Sequence, residues 1–147
     1  MQRTNNADEK RFSYLTSEIE AAYHEAALKF GVSDSAMRIL YTLSLGGGEQ
    51  LLSDIVRLSG ISKQTINSSL RKLERDEIIY LEMAGLRKKK VCLTEKGTIL
   101  AQNSAMKILE IENAVFASWS KVERDMYIDL TERFLISFRE KTKEIQA

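Results

Sequence analysis

The chain contains no proline in 147 residues, where average usage would place about seven. Proline interrupts helices because its ring fixes φ and its nitrogen has no hydrogen to donate. Apolar residues also recur at steps of three and four near both ends of the chain, at Phe12, Leu15, Ile19, Ala22 and Ala26, and at Tyr127, Leu130, Phe134 and Phe138. Such spacing places each set on one helical face. The sequence therefore predicts a mainly α fold with a long amphipathic helix at each end.

The composition excludes several classes of protein. Apolar residues make up 44% of the chain, which is enough for a core and too many for a disordered chain. No apolar run approaches the roughly 18 residues that span a bilayer, and the first residues contain no secretion signal. We therefore expect a cytoplasmic protein with no membrane partner and, because there is one cysteine, no internal disulfide. Taken over the whole chain, the formal net charge of +1 argues against a nucleic-acid partner.

The apolar faces of the predicted terminal helices need a surface against which they can be buried. A chain of this length has little internal surface with which to cover the apolar faces of several long helices. We therefore expect a homodimer in which the terminal helices of two chains cover each other. The alternative is a monomeric bundle packed over the central part of the chain.

Two short helices are predicted in the central part of the chain. The first ends at Gly60, and Ser62 is a suitable N-cap for the second. The second helix places Ile66, Leu70 and Leu73 on one edge, because these residues are four and three positions apart. We expect that edge to be buried.

A β-hairpin follows the two short helices. Two runs rich in Ile, Tyr and Val, Ile78–Met83 and Lys88–Leu93, are joined by the turn Ala84–Arg87. Two short helices followed by a hairpin predict a winged helix-turn-helix. A long helix is then predicted from Thr94 to Phe116, and the last helix begins at Ser120 with a glutamate three residues later, which is a capping-box pattern.

The second short helix carries a polar face suited to the DNA major groove, which is about 12 Å wide. Its candidate DNA-binding residues are Ser62, Lys63, Gln64, Thr65, Asn67, Ser68, Arg71 and Lys72. Gln64 lies in the first turn, which usually meets base edges, and glutamine can pair bidentately with adenine. Lys63 and the free amides of the helix start suit a phosphate, and Arg71 and Lys72 suit the DNA backbone further along.

The hairpin adds four consecutive cations at its tip and outgoing strand, Arg87, Lys88, Lys89 and Lys90. A cationic tip suits the minor groove, where the potential is most negative. The alternative is a solvated edge strand, because lysines protect exposed strand edges from aggregation. Since the run follows a helix-turn-helix, we favour DNA contact and take the first three cations, Arg87, Lys88 and Lys89, as candidate DNA-binding residues.

The charges are unevenly distributed along the chain. From Gly60 to Gly97 there are nine Lys or Arg and five Asp or Glu, a net charge of +4. The remaining residues hold 13 basic and 16 acidic side chains, a net charge of −3. The basic charge is therefore concentrated in the elements predicted to face DNA, and a dimer doubles it.

The chain resembles the MarR family of bacterial transcription regulators. The resemblance lies in Ser53–Val56, Gly60–Ile66, Leu70–Glu74 and the exit from the hairpin, Val91–Gly97, and it covers essentially the whole chain in order and length. It implies a homodimer that binds a pseudo-palindromic operator in double-stranded DNA, with one recognition helix for each half-site. Many members of the family release DNA when a small aromatic effector, an oxidant or a metal acts on them.

Three positions depart from the family pattern. Ser68 stands where the family often has a groove-reading arginine, so base contacts there are expected to differ. Glu77 replaces the usual glycine after the recognition helix, so that helix end is expected to need another geometry. Gly85 stands where an aspartate often braces the arginine of the wing tip, here Arg87, so we expect Arg87 to be less firmly held.

Few residues suggest a sensor or a catalyst. Alternation along the strand turns Cys92 outward beside lysines, whose charge would lower the pKa of its thiol, but an inert cysteine is the favoured interpretation. His24 is the one histidine and is favoured as an ordinary helix residue. Phe12, Met37 and Tyr41 could line a cleft for a small molecule, with plain core packing favoured. No residue pattern predicts a metal site, a cofactor or an enzyme.

The sequence thus predicts a single domain over residues 1–147. A winged helix-turn-helix module occupies residues 33–97, and dimerisation helices occupy 6–32 and 98–147. The predicted function is that of a cytoplasmic bacterial regulator that binds a specific operator as a homodimer. The alternative is a winged-helix module that binds other proteins and has no operator.

Overall fold

The computed structural model of the protein describes residues 6–146. Within it, one compact unit ends at Leu109 and a second begins at Glu110. The outermost boundaries of the predicted domain, at residues 1 and 147, lie outside the described residues.

Helices dominate the described chain and a small antiparallel sheet accompanies them, as predicted. The helices are α1 (Asn6–Lys29), α2 (Asp34–Leu45), α3 (Leu52–Ser59), α4 (Lys63–Arg75), α5 (Glu95–Gln102), α6 (Ala105–Ala117) and α7 (Lys121–Thr142). The strands are β1 (Glu49–Leu51), β2 (Ile79–Met83) and β3 (Lys89–Leu93). The two short helices and the hairpin of the predicted winged helix-turn-helix are therefore α3, α4 and β2–β3.

The sheet has one strand that the sequence did not predict. Its order is β1-β3-β2, so the hairpin strand β3 lies in the centre and β1 pairs with its outer side. In β1–β3 the register joins Glu49 to Cys92 and Leu51 to Lys90. A strand of three residues is too short for periodicity to reveal, and its partner lies some 40 residues away along the chain. Through β1, the wing is attached directly to the start of α3.

The core of the first unit joins α2, α3, α4 and the sheet. Its fully or nearly fully buried apolar residues include Ile39, Leu40, Leu43, Ile55, Ile66, Leu70, Leu73, Ile79 and Val91. The predicted buried edge of α4 is confirmed, because Ile66, Leu70 and Leu73 all lie in this cluster. With that edge turned inward, the opposite face of α4 is turned outward.

The prediction of one helix from Thr94 to Phe116 is wrong, because α5 ends at Gln102 and α6 begins at Ala105. Two side chains bond to the backbone at the break. Asn103 Nδ2 donates to the carbonyl oxygen of Ile99 at 3.0 Å, and Ser104 Oγ donates to that of Leu100 at 2.6 Å. Asn and Ser compete in this way with the regular helical pattern, which explains the interruption.

The end of α4 also differs from expectation. Glu77 adopts the left-handed conformation with φ +60°, the geometry that a glycine would take at this point. The amide of Ile78 donates to the carbonyl oxygen of Leu73 at 2.9 Å, and the amide of Glu77 donates to that of Glu74 at 3.0 Å. This pattern is a Schellman-type helix end. The prediction that the end needs another geometry is therefore wrong. Glu77 adopts the left-handed conformation that a glycine would adopt, although this conformation is less favourable for a residue with a Cβ.

Replacement of Glu77 by glycine is expected to raise the free energy of unfolding by about 1 kcal/mol, because glycine adopts φ +60° without a clash at Cβ. Urea unfolding followed by circular dichroism measures the change. Glu74→Gly, inside the same helix, is the matched control and should lower the free energy of unfolding by a similar amount. A loss of stability in Glu77→Gly would contradict the assigned helix end.

The second unit holds the end of α6 and all of α7. The capping box predicted at Ser120 is confirmed: Ser120 Oγ accepts from the amide of Glu123 at 3.2 Å, and Glu123 Oε1 accepts from the amide of Ser120 at 2.8 Å. The backbone hydrogen bond from Ser120 lowers the pKa of Glu123. Trp119 packs edge-on against Phe116 and Tyr127, with ring centroids 5.3 Å from each. None of the residues of α7 is buried.

Candidate nucleic-acid interface

The start of α4 is held by its own cap. Ser62 Oγ accepts a hydrogen bond from the amide of Thr65 at 3.3 Å and lies 2.9 Å from the Thr65 hydroxyl. The hydroxyl groups of both predicted residues are thus engaged with each other at the helix start. This leaves Lys63 and Gln64 exposed in the first turn of the helix.

The outward face of α4 forms an open groove of about 560 Å³. Five of the predicted DNA-binding residues line it, namely Lys63, Gln64, Asn67, Ser68 and Arg71. We call this surface the α4 groove. Two cations, two amides and one hydroxyl line it and no acid does, so it can donate hydrogen bonds to both phosphates and base edges.

A second groove of about 580 Å³ lies between the wing and the start of α3. It is lined by Leu51, Leu52, Ser53, Val56, Lys63, Arg87, Lys88 and Lys89. We call it the wing groove. Lys63 lines both grooves, so the structure brings the cations of the wing next to the start of the recognition helix. This convergence joins two sets of residues that the sequence could place only on separate elements.

The first residues of α3 are an addition to the predicted site. Leu51 is the N-cap of α3 and makes no capping hydrogen bond with its side chain. Leu52 and Ser53, in the first turn of that helix, line the wing groove. Apolar residues at a helix start carry no capping signal, so the sequence offered no indication of this position.

The wing tip is closed by its backbone. The amide of Ala84 donates to the carbonyl oxygen of Lys88 at 2.9 Å, and Gly85 and Arg87 both have positive φ, +116° and +63°. Within residues 6–146 no ion pair involves Arg87, Lys88 or Lys89, and all three are exposed. The tip therefore presents three charges that no acid neutralises, and Arg87 has no acidic brace, as expected from Gly85.

Lys90, the fourth cation of the run, is placed differently. Its Nζ lies 3.1 Å from Glu49 Oε2 and 3.5 Å from Glu82 Oε2, and its side chain is 27% exposed. The hydrogen bond with Glu49 raises the pKa of Lys90, which favours its charged form. The charge of Lys90 is thus balanced within the sheet, which supports its omission from the candidate DNA-binding residues.

Cys92 is covered and does not have the lowered thiol pKa expected beside free lysines. It lies on the sheet face of Lys90 but is only 3% exposed. Burial raises the pKa of its thiol and outweighs the lowering by Tyr80 and Lys90, while Glu82 and Glu49 raise it further. The expectation of a lowered thiol pKa is therefore wrong. The side chains of the neighbouring strands cover the sulfur, which alternation along one strand cannot reveal.

Among the three predicted cations of α4, Lys72 is the one that lines a different groove. It lines a groove of about 330 Å³ beside the start of α2 and the start of α5, together with Ser33, Asp76 and Lys96. Arg71, one residue earlier, lines the α4 groove. Successive helical residues point about 100° apart, which separates the two cations.

His24, Met37 and Tyr41 take structural positions, whereas the core packing favoured for Phe12 is wrong. His24 Nδ1 lies 2.7 Å from Asp34 Oδ2 and so links α1 to the start of α2. Met37 and Tyr41 pack partly buried against the core, and Phe12 is exposed. Across residues 6–146, no group of three His, Cys, Asp or Glu side chains is arranged to hold a metal ion. In the same range no helix is both long and apolar enough to cross a membrane.

The two helices, the intervening turn and the basic hairpin define a winged helix-turn-helix protein. Residues 30–88 match the sequence model of the MarR family, and the resemblance derived from the motifs is confirmed. This is a family of transcription regulators and not of enzymes. A search of curated proteins finds no match for the chain.

Several solved structures share the fold. MepR of S. aureus in its DNA-binding conformation superposes with a TM-score of 0.72 at 22% identity, over 86% of this chain and 98% of that one. The S. aureus MepR–DNA complex superposes with a TM-score of 0.67 at 20% identity, over 92% of this chain and 99% of that one. NadR in complex with 4-hydroxyphenylacetate superposes with a TM-score of 0.71 at 15% identity, over 91% of this chain and 96% of that one. The chain therefore shares the fold of these three structures over 86–92% of its length.

Proposed function

We propose that this protein is a transcription regulator that binds a specific, pseudo-palindromic operator as a homodimer in the bacterial cytoplasm. One observation carries the proposal: the α4 groove and the wing groove meet at Lys63, and no acid lines either of them. Five cations line the combined surface, namely Lys63, Arg71, Arg87, Lys88 and Lys89. A surface of this charge matches the phosphate backbone of a duplex.

The geometry suggests a division of roles. With α4 in the major groove, the amide side chains of Gln64 and Asn67 can reach base edges, and each can pair bidentately with adenine. Lys63 and Arg71 then contact the phosphates on either side. The wing tip extends to the adjacent minor groove, where Arg87 meets the most negative potential. Residues 33–97 would thus read the DNA.

The homodimer is proposed from the exposed apolar faces of the terminal helices. The exposed residues of α1 include Phe12, Tyr14, Leu15, Ile19 and Tyr23, and those of α7 include Met126, Tyr127, Leu130, Phe134 and Phe138. Apolar faces of this extent mark interaction surfaces, and a second copy presents identical faces. Segments 6–32 and 98–147 would then dimerise, which places two recognition helices on half-sites roughly 34–36 Å apart or a multiple of that distance.

Release by a small aromatic effector completes the proposal. NadR has been crystallised with 4-hydroxyphenylacetate, and the fold is shared. In this chain the groove that contains Lys72 has a volume of about 330 Å³ and also contains Lys96 and apolar residues of α2 and α5. Its size suits a single aromatic ring. Lys72 is the cation in the lining that suits a carboxylate, because Lys96 Nζ donates to the carbonyl oxygen of Asp76 at 2.9 Å, and Asp76 also lines the groove.

Selection of bound sequences from a random duplex pool, followed by affinity measurement at several salt concentrations, tests the function. We expect an enriched inverted repeat, two chains for each duplex, and an affinity that falls steeply with salt. Small phenolic acids can then be screened for loss of the complex. Weak, salt-insensitive binding with no enriched sequence would favour the alternative, a winged-helix module that binds proteins.

A further inference from the structure

We infer that Lys90, together with Glu49 and Glu82, positions the wing against the helix-turn-helix and so determines how well the wing meets DNA. We call these three residues the Lys90 clasp. The inference deepens the proposed function and rests on it for its consequence in DNA binding. The role assigned to Lys90 is positioning, since its charge is taken up within the sheet.

The clasp spans all three strands on one face of the sheet. Lys90 lies on the central strand β3, directly opposite Glu82 of β2, and its partner on β1 is Leu51. Glu49, two residues before Leu51, is its diagonal neighbour, and such neighbours are within reach of long side chains. Val91, whose side chain points to the other face, is fully buried in the core. The clasp therefore lies on the face away from the core.

The clasp adds side-chain ion pairs to the backbone pairing that joins the wing strands to β1. The strand β1 is only three residues long and leads directly into α3, whereas β2 and β3 carry the wing tip. Gly85 provides no carboxylate to hold Arg87, and within the described chain no ion pair holds the tip cations. Lys90 thus forms ion pairs with both neighbouring strands. Because its side chain is only partly exposed, solvent and salt screen these ion pairs less than they would screen a fully exposed pair.

The direction in which DNA affinity changes when Glu49 or Glu82 is removed distinguishes a positioning role from a purely electrostatic one. Glu49 and Glu82 are acids in a basic module, so if they acted by charge alone, their removal would strengthen DNA binding. If they hold Lys90 and the wing in place, their removal weakens it. Glu74 is a matched control, because it is an exposed acid of the same module with no ion pair in the described structure.

The first arm of the test measures amide hydrogen exchange without DNA. In Glu49→Gln and Glu82→Gln, the hydrogen-bonded amides of the wing, namely that of Ala84 and those that pair β2 with β3, are expected to exchange about two- to fivefold faster than in the parent, as loss of an ion-pair network of this kind allows. In Glu74→Gln they should exchange at the parent rate. Lys90→Arg, which keeps the charge and the reach, should also retain the parent rate. Equal exchange in all variants would overturn the inference, whatever the protein binds.

The second arm measures affinity for the selected duplex in a double-mutant cycle. Glu49→Gln is expected to weaken binding about two- to fivefold, while Glu74→Gln leaves it equal or stronger. With all three tip cations removed by Arg87→Asn, Lys88→Gln and Lys89→Gln, where asparagine tolerates the positive φ of residue 87, Glu49→Gln should cost nothing further. Equal losses in both backgrounds would show that Glu49 does not act through the wing. Faster wing exchange in a protein that binds no duplex would overturn the proposed function and leave the clasp standing.

Discussion

Replacement of Arg71 by alanine is expected to weaken binding to every duplex sequence about tenfold and to make binding less sensitive to salt. Arg71 lines the α4 groove, is exposed, and forms no ion pair within the described structure. Its charge is therefore available to a phosphate. Because a homodimer carries two copies, the slope of log affinity against log salt should fall by about two. Titration of a labelled duplex at several salt concentrations measures both quantities.

Two variants of the same helix sharpen this prediction. Lys72→Ala removes the same charge from a residue that lines a different groove, so its effect should be clearly smaller. Gln64→Ala removes no charge, so the salt dependence should stay unchanged while discrimination at one base pair of each half-site falls by about 1–3 kcal/mol. Equal losses for Arg71→Ala and Lys72→Ala would mean that the α4 groove does not face the DNA.

The largest loss of stability is expected from replacement of Gly97 by alanine. Gly97 lies buried in the first turn of α5, and a Cβ there would overlap the carbonyl oxygen of Ile78. Contacts this close cannot be accommodated by a side-chain rotation, because the atom that would have to move belongs to the backbone. The loss in free energy of unfolding should be on the order of 3 kcal/mol or more.

The position of Ile78 explains why relaxation cannot relieve the clash. Its carbonyl oxygen accepts a hydrogen bond from the amide of Thr94 at 3.0 Å. The Thr94 hydroxyl donates to the preceding carbonyl oxygen, that of Glu77, at 2.6 Å and lies 3.1 Å from that of Ile78. The same hydroxyl accepts from the amide of Gly97 at 2.9 Å, so α5 and the start of β2 are held together at this point. A shift large enough to admit a methyl group breaks these bonds, which adds to the cost.

Urea unfolding of Gly97→Ala measures this effect, with Thr98→Ala as the control. Thr98 is exposed and its hydroxyl bonds only to the preceding turn, so its removal should change the free energy of unfolding by no more than about 0.5 kcal/mol. A Gly97→Ala variant within about 1 kcal/mol of the parent would contradict the close approach of α5 to Ile78.

Much of the fold and the candidate site could be predicted because the relevant signals are local. The apolar edge of α4 identified its buried side, and the groove residues Gln64, Ser68 and Arg71 follow from the opposite face. Lys72 shows the limit of that inference. It was predicted to bind DNA because it is a basic residue of the same helix, but it lines a different groove from Arg71.

The features that could not be predicted depend on distant parts of the chain. The strand β1 is too short to have a periodic pattern, and it is a strand because it pairs with β3. Cys92 lies on the outward sheet face expected from alternation, but Glu49, which lies 43 residues earlier, and Glu82 approach its sulfur at 4.0 and 3.7 Å. Burial and the pKa of the thiol follow from those neighbours.

The sequence by itself determined the order of the two short helices and the hairpin, the buried edge of the recognition helix, and the concentration of basic charge in the wing and α4. Each is a property of residues within a few turns or one hairpin, where spacing and charge are sufficient evidence. Only the tertiary structure decided that Lys63 joins two grooves, that Lys90 is held by two carboxylates, and that Cys92 is covered. The physical reason is that burial and ion pairing depend on which surfaces meet across the sheet, and the residues that meet there are far apart in the chain.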